Sequence, residues 1–333
     1  MEPVRFGILG NAKIARTQVI PALKQSPYCT PVAIASRNKE SSQAAALEMG
    51  LEQAFGGYDE LLADPDIEAV YIPLPNHLHL PYCLRALSAG KHVLCEKPIG
   101  LDTEQVETLI SAQKKHGLVL QEAFMVRVHP QWLRVKELIQ QGAIGDVRTV
   151  NITFSYYNRD PQNVRNQPGI GGGALLDVGC YGSYLSRFVF DDEPLRVVSL
   201  MEQDSDFGVD CLTSALMEFP KGQAFFSCGT QLVPTQKASI QGTKGRIEIE
   251  IPFNPYAEQP ARLWLDDGSR LGNQAAEKIL LDPVNQYRLQ ADQFALAVRQ
   301  GTPPAVSLED SLANAKVLDA IIRSAQSNSW QNI

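Results

Sequence analysis

The spacing of apolar residues changes once along this chain, and that change limits the folds open to it. Up to about residue 125, short apolar runs alternate with stretches of helical period; beyond about residue 145, strict alternation takes over. "VRFGIL" near the start, "VAIAS" (Val32 to Ser36), "AVYIPL" (Ala69 to Leu74), "HVLCE" (His92 to Glu96) and "LVLQEAF" (Leu118 to Phe124) read as strands. Between them, Leu80, Leu84 and Leu87 fall at i, i+4 and i+7, with Gly90 past the end. Asp102 and Thr103 open the next helix, Val106, Leu109 and Ile110 form its apolar face, and Gly117 follows it. Strands alternating with helices predict βαβ units, so residues 1–125 are expected to form a Rossmann-type, doubly wound α/β domain with a parallel sheet.

The second part reads differently. In "TVNITFSY", Val150, Ile152, Phe154 and Tyr156 alternate with polar residues, and in "RIEIEIPF" Ile247, Ile249, Ile251 and Phe253 share one face. Arg196 to Met201, Cys211 to Phe219, Ala224 to Gln231 and Lys237 to Gln241 are further strand candidates, with turn signals at Lys221-Gly222 and Asp267-Gly268. This pattern predicts an α+β domain over residues 126–333 built on one long, predominantly antiparallel sheet. The last helices are expected to pack back on the first domain. No repeat or low-complexity linker separates the parts, so the boundary is a direct passage near residues 124–130.

Composition narrows the function. With 333 residues, 44% hydrophobic and 20% charged, the chain can bury a core in each part. A formal net charge of −7 and the lack of any Lys/Arg block argue against nucleic acid or an anionic membrane as partner. The N-terminus "MEPVRFGILG" has neither the charged region nor the long apolar core of a signal peptide, and a cytoplasmic location is expected. Cys29, Cys83, Cys95, Cys180, Cys211 and Cys228 are scattered without a Cys-x-x-Cys pair, and no metal is expected.

"GILGNAKIA" follows the first strand and opens a helix, the place of a dinucleotide-binding turn. Gly10, Ala12 and Ala15 occupy its three small-residue positions, and Gly10, Asn11, Ala12, Lys13 and Ile14 would border a pyrophosphate held on backbone amides. By itself the turn fits any doubly wound domain. The second strand adds information, because it ends in Ser36 and Arg37 where an NAD site usually has a carboxylate. A hydroxyl and an arginine fork suit a 2′-phosphate, so NADP(H) is expected in preference to NAD(H).

From "PLPNHLHLPYCLRALSAGKHVLCEKPIG" onward the chain resembles the glucose–fructose oxidoreductase/inositol dehydrogenase/rhizopine catabolism (Gfo/Idh/MocA) family. Asn76 and His79 match its Asn-x-x-His segment, and Glu96-Lys97-Pro98 its Glu-Lys-Pro motif. The likeness continues through "EAFMVRVHPQW" and "GGGALLDVGCYG" over nearly the whole chain. With Tyr181 where many members have histidine, the sequence is most similar to the subgroup of NADP-dependent D-xylose dehydrogenases, dimeric dihydrodiol dehydrogenase and glucose–fructose oxidoreductase. The resemblance implies an open-faced sheet in the second domain, and with it a homodimer, or a tetramer of two such dimers, through an exposed apolar face. It also implies that Leu74, Pro75, Asn76, His79, Glu96, Lys97 and Pro98 border the cofactor.

Alcohol oxidation needs a hydride acceptor and a proton acceptor. Tyrosine titrates near 10 when unperturbed, and a nearby ammonium favours its phenolate. Tyr181 is therefore assigned as acid/base and Lys97 as the charge that tunes it, in agreement with the resemblance. Asp177, four residues before Tyr181, either binds a substrate hydroxyl, orients Lys97, or is simply a helix-start carboxylate. Glycines 171 to 173 either admit a ligand close to the backbone or form a flexible connector. His79 is read chiefly as structural, capping a helix near Leu78. Arg127 and His129 are expected to line the cleft, and Tyr157 and Arg165 to lie on a loop covering the substrate. The resulting expectation is an NADP-dependent dehydrogenase of an aldose such as D-xylose, or of a cyclic diol. A keto-sugar reductase using the same site, or a non-catalytic NADP sensor as in a yeast repressor of the family, are the alternatives.

Overall fold

The computed structural model describes residues 1–333, which divide into two compact units. The first comprises Met1–Val128 and Asn285–Leu312, the second His129–Val284 and Ala313–Ile333.

In the first unit six strands, β1 (Val4–Leu9), β2 (Cys29–Ala35), β3 (Gln53–Phe55), β4 (Ala69–Ile72), β5 (His92–Cys95) and β6 (Leu120–Glu122), form one sheet in the order 3-2-1-4-5-6. Every pairing is parallel. This is the doubly wound order whose direction reverses between β1 and β4, where ligands bind beyond the strands' C-terminal ends. The intervening helices are α1 (Ile20–Gln25), α2 (Lys39–Met49), α3 (Tyr58–Leu62), α4 (His79–Ser88) and α5 (Thr103–His116). Their ends follow local chemistry. Asn38 and Asp102 cap α2 and α5 by accepting the N–H groups of Ser41 and Gln105, and Gly117 closes α5 in the left-handed region. The three-residue strand β3 escapes a reading by apolar pattern.

The second unit carries nine strands: β7 (Val147–Tyr157), β8 (Arg196–Gln203), β9 (Asp210–Phe219), β10 (Gly222–Gly229), β11 (Gln231–Gly242), β12 (Arg246–Ile249), β13 (Ala261–Asp266), β14 (Glu277–Leu281) and β15 (Gln331–Asn332). Their order is 14-13-12-11-7-10-9-8-15, antiparallel except where β10 meets β7. Helices α6 (Pro130–Gln140) and α7 (Cys180–Phe190) also belong to this unit. Of the last two helices, α8 (Gln286–Gln300) lies in the first unit, where Phe294 meets Phe6 with ring centroids 5.5 Å apart. The other, α9 (Leu308–Ser327), begins in the first unit and ends in the second.

Two expectations for the second sheet need correction. The alternation read over residues 246–253 stops at Ile249, and Phe253 is instead fully buried against Phe154, their rings stacked at 4.5 Å. Pro252 explains the break, since it has no N–H for a ladder, and its carbonyl accepts from Trp132 Nε1 at 2.8 Å. Nor is the open face wholly apolar. The row Val198, Leu216, Phe225 continues across the sheet into Asn151 and Ser239, and the row from Leu200 runs into Ser214, Ser227 and Thr153.

Candidate active site

The candidate cofactor residues of the first unit stand at the C-terminal ends of its strands. After β1, Gly10 has φ +127°, a conformation that side-chain-bearing residues rarely adopt, and a Cβ there would press on Leu74 Cδ2 at 3.0 Å. Its N–H donates to Ala35 O at 3.0 Å, so the turn is drawn tightly over the sheet. Asn11 braces the turn against α2 by donating from Nδ2 to Ser41 Oγ at 3.0 Å. Ala12, Lys13 and Ile14 carry the chain into a helix whose Ala15–Val19 segment is a π-helical turn. Ser36, just past β2, donates its N–H to Phe55 O at 3.2 Å. Arg37 is exposed beside Tyr58, whose hydroxyl it stabilises in the ionised form against the larger opposing effect of burial. Burial and a bare backbone at Gly10, with a hydroxyl and a guanidinium past β2, suit a phosphorylated dinucleotide.

The segment carrying Lys97 is held from several sides. Tyr71, whose pKa burial raises well above its ordinary value, stays protonated and donates to Glu96 Oε1 at 2.7 Å. His79 does not cap its helix. Its ring is fully buried, with Nδ1 2.7 Å from Pro98 O and Nε2 2.8 Å from Leu74 O, so it joins the turn after β4 to the one after β5. Burial lowers its pKa to about 4, although both carbonyls oppose the shift. The Lys97–Pro98 peptide is cis. Pro75 and Asn76 complete the turn after β4, and Arg127 lies in a short 3₁₀ turn, Met125–Val128.

In the second unit, Tyr181 begins the second position of α7 and is 4% exposed. Its ring lies against Phe154 and Phe253, with centroids 5.9 and 5.4 Å away. Two glycines let the helix come this close to β10: a Cβ on Gly179 would meet Cys228 Sγ at 2.8 Å, and one on Gly182 would meet Phe226 Cγ at 2.6 Å. Asn314 donates to Cys180 O at 3.3 Å and accepts from Ser183 Oγ at 2.8 Å. Before α7, Leu175–Gly179 forms a second π-helical turn, an irregularity often found at functional sites. Buried Asp210 holds its start, accepting from Leu175 N–H at 2.7 Å and Thr213 Oγ1 at 2.8 Å.

Asp177 lies inside that turn. Its Oδ2 accepts from Tyr156 Oη at 2.5 Å and from Arg165 Nε at 2.8 Å, so the structure unites two of the expected residues and adds a third. Burial and the Asp177 charge both raise the Tyr156 pKa, keeping its hydroxyl a donor. Tyr157, expected on the covering loop, is the exposed last residue of β7 opposite Gln231. The alternation itself carried the signal, since Tyr156 shares its face with Phe154 and Tyr157 does not. His129, expected to line a cleft, is 1% exposed and caps α6, its Nδ1 accepting from Gln131 N–H at 3.1 Å. Of glycines 171 to 173, the last two lie close against neighbouring groups. A Cβ on Gly172 would strike Arg165 O at 2.7 Å, and one on Gly173 would overlap the Asp210 carboxylate.

Comparison with known proteins now adds to this geometry. Residues 4–124 match the model of an oxidoreductase family with an NAD-binding Rossmann fold, and residues 132–248 match the GFO/IDH/MocA C-terminal domain. The chain belongs to the Gfo/Idh/MocA oxidoreductase family. Among its relatives in this family is the D-xylose 1-dehydrogenase (NADP(+)) 2 of Haloferax volcanii, 36% identical over 96% of this chain and 97% of that protein. A dTDP-3,4-didehydro-2,6-dideoxy-α-D-glucose 3-reductase of Actinomadura kijaniata is 33% identical over 96% of this chain and 95% of its own. Among solved structures, the 3-ketoreductase KijD10 of the same organism, in complex with NADP and TDP-benzene, superposes with a TM-score of 0.91 at 32% identity, covering 97% of this chain and 98% of that one.

Proposed function

We propose that this Gfo/Idh/MocA protein is an NADP-dependent dehydrogenase of an aldose or cyclic diol, with Tyr181 as acid/base and Lys97 as the charge that tunes it. The observation that carries this reading is the pairing, in one chain, of a lysine anchored past a central parallel strand with a tyrosine fixed on a glycine-packed helix. When bound, the nicotinamide would take up hydride during oxidation or give it up during reduction. Gly10 to Ile14 would receive the pyrophosphate on backbone N–H groups, and Ser36 and Arg37 the 2′-phosphate. Leu74, Pro75, Asn76 and the Glu96–Pro98 segment would border the nicotinamide half.

Tyr181 takes the proton of the reacting hydroxyl during oxidation and returns it during reduction. The Lys97 ammonium favours the phenolate and donates to the reacting oxygen. Asp177, already holding Tyr156 and Arg165, offers a further acceptor for a substrate hydroxyl, and Arg165 brings a donor from the following segment. Apolar walls at Phe154 and Phe253 keep water from one side of the Tyr181 ring.

The similarity to the Actinomadura reductase supports a second reading, keto-sugar reduction by the same groups in reverse. The assay that separates these is nicotinamide absorbance against a panel of aldoses, cyclic diols and keto-sugars in both directions. Turnover of D-xylose with NADP⁺ supports the first reading and keto-sugar reduction with NADPH the second; silence in both directions with tight NADP binding favours a sensor. Tyr181→Phe is expected to lower turnover by about 10²–10⁴-fold with little change in NADP affinity, and unchanged turnover removes Tyr181 from the mechanism. We further propose a homodimer through the open sheet face. Light scattering should give twice the chain mass, and Phe225→Lys should shift it towards the monomer.

A further inference from the structure

The sheet places one buried carboxylate next to the Lys97 segment that the proton-transfer reading does not use. Glu122 ends β6, pairs in register with Cys95 of β5, and is 3% exposed. From there its Oε1 accepts the N–H of Ile99 at 2.9 Å. The chain between Cys95 and Ile99 is therefore secured at both sides of Lys97: Tyr71 holds Glu96, His79 faces the Pro98 carbonyl, and Glu122 takes the next N–H. Around this carboxyl stand Lys97, the Cys95 thiol, Asp310 and the Ser311 hydroxyl, the last two from α9.

We infer that Glu122 is a positioning residue for Lys97, its carboxylate anchoring the backbone beyond the lysine and its charge acting on the ammonium. Ionised Glu122 accepts the Ile99 N–H in a charge-assisted hydrogen bond and favours charged Lys97; protonated, it weakens both effects. Burial raises its pKa to about 7, reinforced by Asp310 and opposed by Ser311, Ile99 and Lys97. Its titration thus falls in the neutral range, and loss of its charge as pH falls impairs both directions of reaction. Tyr181 behaves otherwise, because oxidation needs its phenolate and reduction its phenol. An acid-side loss common to both directions is the mark of Glu122.

This inference rests on Lys97 as half of the proton-transfer pair, so its test has one arm that needs no substrate. In the full chain labelled with ¹³Cε-lysine, the Lys97 resonance, identified by its loss in Lys97→Arg, is expected to inflect near pH 7. Glu122→Gln, which keeps an acceptor for Ile99 but no charge, should abolish that inflection. An inflection that persists in Glu122→Gln, or none in the wild type, overturns the inference. The second arm uses D-xylose with NADP⁺ and its lactone with NADPH as probes: the acid-side loss of kcat near pH 7 that is common to both directions should vanish in Glu122→Gln while KM for NADP⁺ stays within about two-fold. A common loss that survives also overturns it. If D-xylose is not oxidised, the dehydrogenase reading fails with that probe and the lysine resonance alone decides the role of Glu122.

Discussion

In the proposed site a single guanidinium is expected to tell the two nicotinamide cofactors apart. Arg37 follows the end of β2, where a carboxylate would repel a 2′-phosphate and an arginine attracts one. Arg37→Ala is therefore expected to weaken NADP⁺ binding by about 10-fold or more, as suits loss of a charge-assisted contact, and to leave NAD⁺ binding nearly unchanged. Titration of both cofactors by fluorescence checks this, and equal losses would remove the phosphate role. The places of Arg37 past β2 and of Lys97 past β5 were readable from the strand pattern alone. Side chains whose role depends on distant strands were not. Asp210 reaches Leu175 across 35 residues and Glu122 reaches Ile99 across 23, and neither separation has a local period. Glu122 did leave a trace, a carboxylate beside Gln121 at the end of the short strand β6.

Helix α7 shows how packing sets the place of Tyr181. In an exposed helix, Gly→Ala stabilises by roughly 0.5–1 kcal/mol through backbone entropy. At Gly182 the added methyl would meet Phe226 within 2.6 Å of backbone-fixed ring atoms, and overpacking of this kind costs about 1–3 kcal/mol. Overpacking should win, so Gly182→Ala is expected to lower the urea midpoint and to reduce turnover by moving Tyr181. A raised midpoint would show that β10 yields easily. At this scale most of the parallel sheet was legible because β1, β2, β4 and β5 lie in largely apolar runs, whereas β3 was not. The second sheet was legible only in its central strands. β13 and β14 alternate weakly among charged residues, β15 has two residues, and Pro252 turned an apparent strand into the wall that Phe253 builds beside Tyr181.

Across the whole molecule, buried titratable groups in both units decide the response to acid. In the first unit His79, and in the second His129, have pKa values lowered by burial to about 4, against about 6.5 in an unfolded chain. Between these values the unfolded state binds protons that the folded state refuses. Each histidine therefore contributes stability that is complete above about pH 6.5 and is lost as pH falls towards 4. Glu122 has the opposite sign. Its pKa is about 7 when folded and about 4.3 when unfolded, so over that interval the folded state binds the extra proton and stability decreases as pH rises. Two histidines against one glutamate leave a net loss in acid between pH 6.5 and 4. His129→Asn isolates one contribution, because asparagine also caps a helix and does not titrate. Urea unfolding of the full chain at several pH values should show the midpoint falling below pH 6.5, less steeply in His129→Asn and more steeply in Glu122→Gln. If His129→Asn leaves the slope unchanged, its imidazole does not govern acid stability, and the loss belongs to His79 in the first unit.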